Sequence, residues 1–155
     1  MKKTYFLLLP LFFAFGCLGE DCDGVSCLGQ PIIAIELIQN NTNVLEEAIF
    51  ILDEIALEGE NTETFELTIA AIEFLDDANQ VSTKTVLFIS NSDWEPIQYD
   101  LNLELASDFS VPITTDIGLS QGDCCGGIPL LESLAIDGEA IPENELYNVH
   151  LVELN

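Results

Sequence analysis

Five cysteines, one histidine and 28 carboxylates are the side chains of this 155-residue chain with chemistry to offer. A thiol can be acylated, oxidised to a disulfide or bound to a soft metal, and its compartment decides which. Cys22 and Cys27 stand close together, Cys124 and Cys125 are adjacent, and Cys17 stands apart, where an apolar stretch gives way to an acidic one. In an oxidising compartment the last four thiols allow three complete pairings. The local bridges, Cys22 to Cys27 and the vicinal Cys124 to Cys125, need no long-range geometry. Gly126-Gly127 supplies the backbone freedom that a strained vicinal unit requires. Crossed bridges would have to land on adjacent residues, whose side chains point to opposite faces of an extended strand. The spacing therefore predicts local pairing, with the crossed bridges and a reduced soft-metal pair as alternatives.

Enzyme chemistry finds little to use. His150 lies within the alternation "NVHLVEL", on one face with Asn148 and Val152, a setting for a structural or solvent-facing histidine rather than a general base. No second histidine completes a zinc site, and neither a G-x-S-x-G elbow nor a phosphate-binding glycine loop is present. Two carboxylates at a fixed separation can hydrolyse a glycosidic bond, yet 28 acids produce pairs by chance. The absence of arginine removes the bidentate clamp used on many anionic substrates. No catalytic residue and no cofactor is expected. Asp21-Cys22-Asp23-Gly24 and Asp76-Asp77-Ala78-Asn79 are the densest oxygen clusters, but neither completes a calcium loop with its terminal Glu, so no metal site is assigned. Trp94 in "NSDWEPI" is the candidate ligand-contact residue, exposed beside Pro96, whereas Tyr99 falls on the apolar face of its strand and reads as core.

Charge narrows the partners. Beyond residue 16 the chain keeps Lys84 alone against all 28 carboxylates, a formal charge of −27 before the termini. That excludes nucleic acid, whose affinity comes from cations neutralising phosphates, and it excludes a polybasic grip on anionic lipid. The acids are interleaved with Ile, Leu, Val and Phe through residues 31–154, so the chain reads as a folded domain with a soluble, salt-adapted acidic exterior rather than a disordered tail.

The segment Met1-Lys2-Lys3-Thr4 followed by the apolar run Tyr5 to Phe15 is too short to span a bilayer. Its basic start, apolar centre and small residues Ala14 and Gly16 are the marks of an export signal, and residues 1–16 are expected to be removed. With Cys17 next, the stretch resembles the lipobox of bacterial lipoproteins. That resemblance implies that Cys17 is acylated and becomes the new N-terminus. Leu18-Gly19-Glu20-Asp21 then resembles the surface-export signal of Bacteroidetes-type lipoproteins, which implies an outer-membrane anchor with the protein facing the cell exterior.

Residues 17–30 read as an acidic tether and 31–155 as one domain. Apolar residues recur at spacing two in Pro31–Ile38, Thr64–Phe74, Thr85–Ser90, Ile97–Leu105, Val111–Ser120, Ile128–Ile136 and Leu146–Leu154, each bounded by turn residues. Asp137-Gly138 is a hairpin signal. The segment "VLEEAIFILDEIAL", residues 44–57, places Leu45, Ala48, Ile49, Leu52 and Ala56 on one helical stripe behind Asn43, while its β-rich interior fits an extended element turning at Asp53-Glu54; of the two, a short helix or helical turn inserted between strands is expected. The whole predicts an all-β antiparallel sandwich of about seven strands, immunoglobulin-like or transthyretin-like. The stretch "DCCGGIPLLESLAIDG", 123–138, resembles a segment of small surface lipoproteins with a β-sandwich domain from the same bacterial group. That likeness implies location and fold, and no catalytic residues. The expected role is a non-enzymatic interaction or accessory module meeting a protein or glycan partner. A carbohydrate hydrolase built on a carboxylate pair, or a calcium-binding module, is the alternative.

Overall fold

The computed structural model describes residues 27, 29–75, 79–106 and 108–154. Residues 1–16, expected to be an export signal, Cys17, Cys22 and the first oxygen cluster lie outside the described residues, as do Asp76, Asp77 and Ala78 of the second. Ten strands follow one another as β1 (Ile32–Gln39), β2 (Thr42–Asn43), β3 (Ile55–Gly59), β4 (Phe65–Leu75), β5 (Val81–Asn91), β6 (Gln98–Leu105), β7 (Phe109–Leu119), β8 (Pro129–Ile136), β9 (Glu139–Ala140) and β10 (Val149–Glu153). They form two sheets, one ordered β10-β1-β5-β4 with β2 beside β1, the other β3-β6-β7-β8-β9. The chain is thus an all-β sandwich. All seven apolar runs became strands, and β2, β3 and β9 are short additions.

Alternation decides which face of each strand is buried. On β6 the side chains of Tyr99, Leu101, Leu103 and Leu105 are buried while Gln98 and Asp100 face solvent. On β7, Val111, Ile113, Thr115 and Ile117 point inward. They meet Ile33, Ile35 and Leu37 of β1 and Leu87 and Ile89 of β5 in one core. Thr115 keeps its hydroxyl there by donating to Ser133 O at 2.8 Å. Pro112 is tolerated inside a central strand because its carbonyl accepts from Asp137 N at 2.8 Å. Its missing N–H therefore faces the turn beyond Ile136 rather than a ladder partner. Asp137 and Gly138 both take positive φ, 51° and 79°, as the two-residue hairpin between β8 and β9 requires.

Two features depart from expectation. The pairing is antiparallel except between β1 and β10, which run parallel with Ile35 opposite His150. A parallel pair needs a crossover, and here the whole sandwich between the first and last strands serves as one. The second is the expected helix in 44–57. Asn43 does cap the segment, its Oδ1 accepting from Leu45 N at 3.0 Å and Glu46 N at 3.1 Å. Ala48 then enters the left-handed region at φ 50°, and turns lead to a single 3-10 turn at Leu52–Glu54 and on into β3. A helix would have carried Phe50 and Ile55 out of the core, where both are buried. Packing of these two outweighs the modest gain of one or two helical turns.

β5 pairs with β1 only from Ser90 to Leu87, after which β2 takes its place beside β1. The parting is bridged by Lys84, whose Nζ donates to Glu36 Oε2 at 2.7 Å and lies 4.6 Å from the Phe74 ring centre.

Candidate functional site

The two ends of the sandwich differ. At the end where β1 begins, Cys27 is joined to Cys125 across 98 residues, with Cα atoms 5.6 Å apart. Cys124 is disulfide-bonded as well. The local pairing expected from spacing is therefore corrected: neither Cys22 to Cys27 nor the vicinal bridge forms. The reason lies in residues 120–128, which fold back on themselves. Ser120 N donates to Ile128 O at 2.8 Å, Gly127 N to Ser120 O at 3.0 Å, and the Ser120 hydroxyl donates to Cys125 O. A Cβ on Gly126 would sit 2.5 Å from Gly122 O, so only glycine allows this closure. The closed loop presents Cys125 to the segment entering β1. A bridge over so long a span also removes more chain entropy from the unfolded state than a six-residue loop does.

Trp94 sits at the same end and is not an exposed platform. It is 5% exposed. Its Nε1 donates to Pro31 O at 2.9 Å, and its ring packs edge-on against Phe65 and Tyr99 at 5.1 and 5.2 Å. Tyr99 is core, as expected, with its hydroxyl accepting from Glu95 N at 2.9 Å. The ligand-contact role expected of Trp94 gives way to a structural one: it closes this end of the core and holds the chain entering β1. Shallow hollows nearby are lined by Glu60, Glu63, Asp93, Glu95 and Asp100. Among the described residues no three His, Cys, Asp or Glu side chains converge to hold a metal ion.

The outer face of β6, β7 and β8 carries carboxylates held by neighbouring side chains. Asp100 accepts from Gln98 Nε2 and Thr114 Oγ1, both at 3.1 Å, and Asp116 from Ser133 Oγ at 2.7 Å. They lie on a sheet face beside neutral donors rather than across a cleft. His150 is buried on the inward face of β10, with Nε2 3.4 Å from Leu146 O.

The opposite end is closed by the 44–54 loop, which crosses from the first sheet to the second. Phe50 packs edge-on against Phe109 at 6.0 Å, and Val44 and Leu45 are buried beneath it. Ile49, Ile51 and Leu52 remain 49%, 49% and 41% exposed. The helical stripe seen in the sequence had assigned Ile49 and Leu52 to the core side, so this surface was not legible before the loop's path was known.

Among the described residues no helix is long and apolar enough to cross a membrane. No family model matches the chain, and neither a curated protein nor a solved structure matches it.

Proposed function

We propose that the protein is a non-enzymatic surface lipoprotein, anchored in the outer membrane through an acylated Cys17, whose acidic sandwich is an interaction module displayed to the cell exterior. The observation that carries this reading is the Cys27–Cys125 bridge. Disulfides persist in exported proteins and are rare where thiols are kept reduced, which agrees with an export signal ahead of Cys17. The bridge also bolts the chain to one end of the sandwich ten residues after Cys17. Ten residues reach at most ~36 Å, so that end is held close to the anchor and the 44–54 end is turned outward. A body of charge −27 is repelled by an anionic leaflet, so the lipid supplies the attachment. Catalysis has no part in this reading, and the partner is a protein or a glycan.

Replacing Cys17 with Ala should leave the melting temperature unchanged and move the protein from the membrane to the soluble fraction. The native N-terminus should carry lipid by mass spectrometry, and protease added to intact cells should remove the wild-type domain. A variant that still sediments with membranes after a salt wash, or an unmodified native N-terminus, would overturn the anchor.

A further inference from the structure

The geometry points to the cap formed by residues 44–54 as the docking surface of the module, and to a cationic amphipathic segment of a partner protein as its occupant. This rests on the interaction-module reading and names its surface and partner chemistry. Ile49, Ile51 and Leu52 expose half or nearly half of their area within four residues of chain. Their exposure is not slack in the fold. Val44, Leu45 and Phe50 anchor the same loop in the core, and Asn43 holds its start through Leu45 N, Glu46 N and, by its own Nδ2, Thr85 O at 2.8 Å. A loop fixed in this way binds without a large ordering cost.

The rim decides the occupant. Glu46, Glu47, Asp53 and Glu54 flank the aliphatic centre on both sides and are all exposed. A matching surface is apolar in the middle and positive at its edges. A second copy of this chain would bring the same four carboxylates against themselves, in molecules that each carry −27. Anionic lipid fails on the same ground. A glycan is recognised by exposed aromatic rings and polar donors, and the cap offers neither. A helix or strand with leucine-like residues on one face and lysine or arginine beside them satisfies both parts of the surface.

The test uses the full mature chain carrying Cys17→Ala, so that no lipid or detergent competes. The probes are a dye-labelled 18-residue Leu/Lys amphipathic peptide and an all-Lys peptide of equal charge, read by fluorescence anisotropy at 0.15 M salt. The Leu/Lys peptide should bind about tenfold more tightly than the all-Lys peptide, about 1.4 kcal/mol. The triple variant Ile49→Ser, Ile51→Ser, Leu52→Ser should erase that difference. A control triple at exposed aliphatics elsewhere, Ile32→Ser, Val81→Ser, Leu119→Ser, should retain it. A second variant, Glu46→Gln with Glu47→Gln, leaves the aliphatic centre untouched and should weaken Leu/Lys binding several-fold. Equal binding of the two peptides, or equal loss in both triples, overturns the proposal. So does self-association through the cap by sedimentation, or binding to phosphatidylcholine vesicles, each of which would name a different occupant. Membrane anchoring is read separately by fractionation, so the failure of one reading is not mistaken for the failure of the other.

Discussion

The His150 ring contributes to stability only while it is uncharged. Burial in β10 holds its pKa below the ordinary 6.5, against the opposing pull of the Leu146 carbonyl and the Glu145 carboxylate. Asp137, Glu139 and Glu153 line the same surface hollow, of about 330 Å³. In the unfolded chain the imidazole takes up a proton near 6.5, whereas the folded chain resists it to lower pH. The stabilisation is therefore complete above about 6.5 and is lost as pH falls through the folded value. Melting curves of wild type and His150→Gln should show the wild-type advantage shrinking between pH 7.5 and pH 5.5. Carboxylate protonation affects both chains alike and drops out of the difference. An advantage that is constant over this range would show that burial does not control the ring.

At the scale of elements, the sandwich is held at one end by covalent chemistry and at the other by packing. The Cys27–Cys125 bridge closes a loop of 98 residues, for which the chain-entropy account gives ~4.7 kcal/mol. Reducing the wild type with dithiothreitol, which opens this bridge together with that of Cys124, should cost about 3–5 kcal/mol in urea unfolding, while strand content by circular dichroism stays native. A non-reducing peptide map of the wild type should contain a fragment joining the segment around Cys27 to the one around Cys125. A map showing only bridges within each segment would contradict the staple. At the far end the 44–54 loop relies on Phe50 against Phe109 and on the Asn43 cap, and these non-covalent contacts suffice because the loop begins and ends in strands already paired within the sheets.

For the molecule as a whole, the dominant quantity is charge. Lys84 is the sole basic side chain of the domain, and its bridge to Glu36 leaves the large excess of negative charge unneutralised by protein cations. Self-repulsion of this kind reaches far at low salt and little at physiological salt, since the Debye length falls from ~30 Å at 0.01 M to ~8 Å at 0.15 M. The melting temperature should rise over that range by at least about 4 °C, the shift that ~1 kcal/mol produces in a domain of this size. Sodium chloride and potassium chloride should act equally, because screening depends on ionic strength and not on a bound ion. A flat response would mean that the acids are spaced too widely to interact.

By itself the sequence determined the strands, because period-two burial is a local property: Tyr99, Leu101, Leu103 and Leu105 could face a core only in an extended chain. It determined the Asp137-Gly138 turn for the same reason, since the backbone there needs positive φ at both positions. Tertiary structure alone decided the rest. Which cysteines meet depends on how the 120–128 loop folds back toward the segment entering β1, and spacing along the chain carries no record of that. Trp94 looked like a loop aromatic from its neighbours Asp93, Glu95 and Pro96, yet Phe65, Tyr99 and Pro31, distant in sequence, converge to bury it. Residues 44–57 carried helical and extended signals of similar strength, and two core positions, Phe50 and Ile55, broke the tie by burial free energy that no local preference could match. The parallel contact of β1 with β10 joins the two ends of the domain, so no local pattern along the chain records it.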